Sequence, residues 1–116
     1  MVKTSAVKKL ALTDLQQRKA ALLSGLRLSP DLVRASYVRQ HLTCGKKNCR
    51  CRRGFKHGPF FYLVQCLGTG QVRKFLLKTQ AQRKQARAGI AAYLKLQRRL
   101  ATLSEINTEL LRRGAA

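Results

Sequence analysis

Acidic side chains are scarce in this sequence. Asp14, Asp31, Glu105 and Glu109 stand against 25 lysines and arginines. Four scattered acids, three of them on predicted helices or their caps, offer no paired carboxylates for a two-metal nuclease. The resulting net charge of +21 cannot be neutralised within the chain, and it costs the compact state self-repulsion unless a polyanion offsets it. Nucleic acid is the first such partner to expect, ahead of an anionic membrane.

Long apolar runs are missing too. None approaches the ~20 residues of a membrane span, so no membrane partner is expected. The leading segment MVKTSAVKKLALTDLQQRKAALL is basic, but it has no continuous apolar stretch of the secretory kind and carries Asp14. It reads as part of the mature chain. Without an export signal the cysteines are expected reduced, in a cytoplasm. No glycine-rich loop runs into Lys-Ser or Lys-Thr, which excludes a P-loop. These absences point to a binding protein rather than an enzyme.

Proline occurs twice, as Pro30 and Pro59. Between Thr79 and Arg113 there is none, and Gly89 is the only weak point, so the sequence predicts one long helix there. Thr79-Gln80-Ala81-Gln82 has the form of a capping box at its start. Tyr93, Leu100 and Asn107 fall at a positions of a heptad, and Leu96, Leu103 and Leu110 at d positions. Lys84, Arg87, Lys95 and Arg98, with Ala91, cluster on the opposite side at ~100° per residue. The first half of the seam is expected to pack on the chain's own sheet and first helix. Residues 96–113 could instead pair with another chain, as a homodimer or with a larger protein.

The remaining elements follow from local pattern. Thr13 and Gln16 have capping-box form, and a helix over 13–25 carries Leu15, Leu22, Leu23 and Leu26 on one side. Ser29-Pro30-Asp31 is either a second helix start or a turn. Residues 35–43 and 60–67 (FFYLVQCL) read as strands, and Gly68-Thr69-Gly70 turns the second into a hairpin partner over 72–78. Pro59 falls at the strand entrance, where its missing donor does little harm. The segments are an N-terminal helical piece (1–28), a β-rich cysteine-motif domain (34–78) and a long basic heptad helix (79–113). The fold class expected is α+β, with a small three-stranded antiparallel sheet and a zinc-knuckle-like loop. A chain of 116 residues buries only a modest core, which a metal staple would reinforce.

The loop over 44–58 carries the chemistry. Three cysteines occur in the eight residues CGKKNCRC, and His57 follows. Soft thiolates with an imidazole suit tetrahedral zinc. Lys46, Lys47, Arg50, Arg52 and Arg53 favour deprotonated sulfur, because positive charge nearby lowers a thiol pKa. Cys44, Cys49 and Cys51 supply three ligands, and His57, His41 or Cys66 the fourth. Cys66 is disfavoured: if strand 35–43 pairs with 60–67, position 43 lies near 60, and Cys66 is ~20 Å further along the strand. Cys66 is expected instead as a buried structural thiol. His57 leads His41 because its glycine-rich loop can fold back.

The stretch CGKKNCRCRRGFKHGPFFYL resembles the signature of an uncharacterised family of small bacterial and archaeal proteins, often encoded near mobile elements. Its CGKxNCxC segment is followed by a short basic stretch, HGP, an aromatic strand and a long charged helix. The resemblance spans roughly residues 34–112. It implies Cys44, Cys49, Cys51 and His57 as the matching Cys and His positions, and it implies no activity.

With zinc in place, Lys46, Lys47, Arg50, Arg52, Arg53 and Lys56 would form a rigid cationic surface. Such residues contact phosphates without reading sequence. Asn48 could add a base contact. Phe55 could stack on an unpaired base or plug the loop from beneath, with the plug expected. Of Phe60, Phe61 and Tyr62, alternation puts Phe61 opposite the other two, and core packing is favoured over a base-stacking platform. The function expected is nucleic-acid binding, DNA ahead of RNA, with zinc as cofactor and the knuckle loop and helix stripe on phosphates. The alternatives are a protein–protein adaptor using the heptad helix and a ribonucleoprotein component that binds RNA.

Overall fold

The computed structural model describes residues 7–115, with the side chains of Cys51 and Arg52 outside that description. Among the described residues the elements are, in chain order, α1 (Leu12–Gly25), β1 (Ser36–Leu42), β2 (His57–Cys66), β3 (Val72–Leu76) and α2 (Gln80–Arg112), with a 3-10 turn at Arg50–Arg53. The fold is α+β, as expected. The sheet is antiparallel throughout, in the order β1-β2-β3. The chain forms two compact units. One comprises residues 31–91, and the other residues 7–30 with 92–115.

In the sheet unit, β2 is the central strand, and its alternation decides which side is core. Phe61 and Leu63 face inward with Tyr37, and Leu63 is 6% exposed. Leu77, Ala86, Ile90, Val33 and Ala35 complete this cluster, so the first turns of α2 cover the inner face. Tyr37 and Phe61 stack at 5.5 Å between ring centres. Arg87 lies over the first ring at 5.6 Å and Arg83 over the second at 5.0 Å. The hairpin turns through Gly68-Thr69-Gly70, whose φ angles are all positive. Gln71 N–H donates to the Gly68 carbonyl at 2.8 Å and closes it.

The capping box at the start of α2 forms as predicted. Gln82 N–H donates to Thr79 Oγ1, and Gln82 Oε1 accepts from the backbone N–H groups of Thr79 and Lys78. Gly89 has a packing reason. Val33 N–H donates to the Gly89 carbonyl at 3.1 Å, and a Cβ at Gly89 would run into the Asp31 carbonyl oxygen. The segment 30–31 is a turn, so Ser29-Pro30-Asp31 does not begin a helix.

In the helical unit the predicted cap at Thr13 does not form. α1 begins one residue earlier, with Ala11 at the N-cap and no side-chain cap. The reason is burial. Val7 is 1% exposed and Leu15 is fully buried, and Leu10 packs on the same cluster. Leu10 and Leu15 thus occupy the two positions of a hydrophobic staple, which sets the helix start in place of the capping box. At the other end of α1, Arg99 Nη1 donates to the Gly25 carbonyl at 2.6 Å, satisfying a terminal acceptor that α1's own last turn, which has no basic residue, leaves open.

Ile106 and Leu110 of α2 are 1% and 2% exposed within the same cluster, and full burial contributes ~1.5–3 kcal/mol per large aliphatic side chain. Leu100, placed at the heptad seam from sequence, is 49% exposed. α2 packs here on a short helix of its own chain, and a straight helix drifts off a strict heptad. Ile106 therefore occupies the buried stripe, and Leu100 leaves it. The end of α2 is a Schellman motif. Gly114 has φ 72, its N–H donates to the Leu111 carbonyl, and Ala115 N–H donates to the Leu110 carbonyl.

Glu109 is 4% exposed and is the acid that this basic chain buries. Arg112 donates to it through Nη2 and Nε, and Arg113 through Nε at 2.6 Å. Arg113 Nη2 continues to the backbone carbonyls of Leu10 and Lys8. The hydrogen bonds from Arg112, then those from Arg113, hold the Glu109 carboxyl down at about 2, below its ordinary 4.5.

Candidate metal centre and basic loop

The site is set by an irregularity in β2. Gln40 pairs with Phe60, but Leu42 pairs with His57. Between these pairs β1 advances two residues and β2 three, so Gly58 and Pro59 together oppose His41 in a β-bulge. The extra residue breaks the alternation of β2. His57 consequently emerges on the same side as Leu42 and Phe60, where strict alternation would have sent it to the other face. Glycine is required at the bulge. Gly58 has φ +127, and a Cβ there would sit 2.8 Å from the Gln40 carbonyl oxygen.

The loop before β2 brings the thiols to this histidine. Cys49 N–H donates to the Lys46 carbonyl at 3.4 Å, the 3-10 turn follows, and Phe55 N–H returns to the Arg50 carbonyl at 3.3 Å. The ligand atoms of Cys44, Cys49 and His57 all lie within 4.8 Å of one another. Cys49 Sγ and His57 Nε2 are 3.0 Å apart. An ion ~2.0–2.3 Å from each donor could be shared by atoms this close. Both cysteines are half-buried and the histidine is exposed. The three residues could hold a metal ion, and two sulfurs with an imidazole nitrogen suit a soft or borderline cation.

The structure departs from the sequence pattern at several of these residues. His57 is the first residue of a strand, not a mobile loop residue, and β2 starts three residues earlier than the aromatic run suggests. The register places Gln40, not Thr43, beside Phe60. His41 is outside the cluster, since alternation along β1 turns it away from Leu42. Cys66 ends β2 opposite Val72, and it is exposed rather than a buried structural thiol. The Cys51 side chain lies outside the described residues.

Lys46, Lys47, Asn48, Arg50, Arg53 and Lys56 are all exposed around the cluster, and the Arg52 side chain lies outside the described residues. Phe55 is 63% exposed with Arg50 over its ring at 5.3 Å, so it is not a plug. Lys84 and Arg87 are exposed in the sheet unit, and Lys95 and Arg98 in the helical unit. Sequence reasoning missed the bulge and its consequence for His57. The signal was present in His-Gly-Pro, since glycine and proline inside a strand pattern mark a bulge.

Residues 12–86 match the model of a domain of unknown function, DUF6788, over more than half the chain. The chain belongs to that family. The match takes in α1 and stops within α2, where the motif resemblance suggests 34–112. No curated protein and no solved structure matches the chain. Among the described residues, no helix is long and apolar enough to cross a membrane.

Proposed function

We propose that this chain is a small zinc-stabilised nucleic-acid-binding protein, with DNA ahead of RNA as its ligand. The observation that carries the reading is the convergence of Cys44, Cys49 and His57 in a loop whose Lys46, Lys47, Arg50, Arg53 and Lys56 are exposed. Zinc is the metal of choice for thiolates with imidazole, and a fourth ligand from Cys51 would close the site. Bound metal would fix the loop before any ligand arrives, which reduces the ordering cost of binding. The loop cations, with Lys84, Arg87, Lys95 and Arg98, would meet phosphates. No acid lies between Asp31 and Glu105 to repel them. The likeness of the cysteine motif to proteins encoded near mobile elements makes DNA the first polyanion to try.

The test is fluorescence anisotropy with a labelled duplex over a range of salt. The log of affinity should fall linearly with the log of salt, with a slope of about −0.9 per phosphate contacted. Replacing Arg50, Arg52 and Arg53 by alanine should weaken binding to all sequences alike and flatten that slope. Unaltered affinity would remove the loop from the interface. An adaptor would instead lose partner capture, not nucleic-acid affinity, when Leu100 and Leu103 are changed to aspartate.

A further inference from the structure

One face of the sheet carries α2, and the other has a different composition. The register assigns Val38 and Gln40 of β1, Phe60, Tyr62 and Val64 of β2, and Val72, Lys74 and Leu76 of β3 to that second face. Val72 is 60% exposed and Leu76 37% exposed, while Phe60 and Tyr62 are half-buried. Lys74 Nζ stands 4.2 Å from the centre of the Tyr62 ring and donates to Gln40 Oε1 at 2.8 Å, bridging all three strands. Phe60 also lines the cavity that holds Cys44, Cys49 and His57, so the aromatic strip runs directly into the candidate metal centre.

We infer that this open face is a stacking surface for an unpaired nucleic-acid strand, with Phe60 and Tyr62 as the base platforms and Lys74 as a phosphate contact. The inference rests on the nucleic-acid reading and names the form of the ligand. Two rings two residues apart on one strand lie ~6.6 Å from each other along it, and rings displayed on a sheet in this way can each receive an unpaired base. A duplex keeps its bases stacked inside and offers such rings nothing. The occupant is chosen by charge: Asp31 is the only acid of residues 31–91, while Lys74 stands on the face itself and the loop whose cavity Phe60 lines carries exposed Lys46, Lys47, Arg50, Arg53 and Lys56. A base arriving on Tyr62 would take the place of the Lys74 ammonium, which would then be free to turn to the adjacent phosphate. Gln40 would lose its lysine partner and could hydrogen-bond a base edge.

The experiment uses the full chain and four ligands at matched salt: a 12-nucleotide deoxythymidine strand, the corresponding uridine strand, a 12-base-pair duplex, and vesicles of phosphatidylserine and phosphatidylcholine. The variants are Tyr62→Leu and Phe60→Leu, which keep apolar bulk on the strand, and Tyr62→Phe, which keeps the ring. Each leucine variant should weaken single-strand binding about fivefold or more. Tyr62→Phe should bind like the parent, and Tyr62→Leu should leave duplex affinity unchanged. The two single strands separate DNA from RNA. If the protein binds nucleic acid and both leucine variants bind single strands like the parent, the open face is not the site, and the phosphate-binding reading stands. If the parent binds neither strand nor duplex, both proposals fall. If it binds only vesicles, the face belongs to a membrane surface and the inference is overturned.

Discussion

His57 Nε2 lies 3.0 Å from Cys49 Sγ, although the two residues reach that position by different routes. Cys49 arrives through a turn ahead of the 3-10 segment, and His57 through a bulge that displaces one strand against its neighbour. A cluster assembled by two unrelated backbone devices can be broken at either one. Each supplies a test that does not touch a ligand atom.

Gly58 is the more direct of these. Alanine there would meet the Gln40 carbonyl oxygen, with Phe60 N and His41 Cα also within 3.4 Å, at a φ of +127. A non-glycine residue in such a conformation costs ~1–3 kcal/mol before the clash is added. Gly58→Ala should destabilise the chain by about 2 kcal/mol or more and weaken metal uptake. Chemical denaturation and a cobalt titration would measure the two effects. Wild-type stability in this variant would mean that the bulge does not hold His57.

Gly89 provides a case where propensity and packing oppose each other. In an exposed helix, alanine for glycine gains ~1 kcal/mol. Here the new Cβ collides with the Asp31 carbonyl oxygen and sits 3.1 Å from Val33 Cγ2, and the Val33 N–H to Gly89 carbonyl bond is at risk. Overpacking costs ~1–3 kcal/mol and a lost hydrogen bond ~0.5–1.5 kcal/mol. Gly89→Ala should therefore be net destabilising, by about 1–2 kcal/mol, with a lower melting temperature. A higher one would show that α2 does not approach residues 31–33 this closely.

Glu109 gives the acid limb of stability. Its carboxyl titrates at about 2 in the folded chain and near 4.5 when unconstrained. The unfolded state therefore binds the proton more readily, and the stability due to the Arg112 and Arg113 bonds is fully present above pH 4.5. That stability is lost as the pH falls from 4.5 towards 2. Glu109→Gln should be less stable at neutral pH and should show a flatter decline over this window. A slope identical to that of the parent would place the acid sensitivity elsewhere.

Features specified by adjacent residues are readable from the chain alone. Thr79 and Gln82 satisfy each other's backbone donors across three positions, and Gly68-Thr69-Gly70 supplies the positive φ angles of its own turn. The three strands and the long helix follow from such local signals, and the cysteine spacing marks Cys44 and Cys49 as ligands, whereas the place of His57 depends on the bulge. What fails is whatever depends on packing at a distance. Thr13 looks like a cap, but burial of Val7 and Leu15 moves the N-cap to Ala11. Leu100 fits a heptad, but α1 selects Ile106 in its stead. The open aromatic face needs the register of three strands before Phe60, Tyr62 and Lys74 can be seen to share it.

The central claim is that a metal ion joins Cys44, Cys49 and His57, and native mass spectrometry of the chain purified without added metal tests it most directly. The expected spectrum is the chain plus one zinc, with the added mass lost on Cys49→Ser or His57→Ala. A bare chain mass in the parent protein, with a melting temperature that chelators do not move, would contradict it.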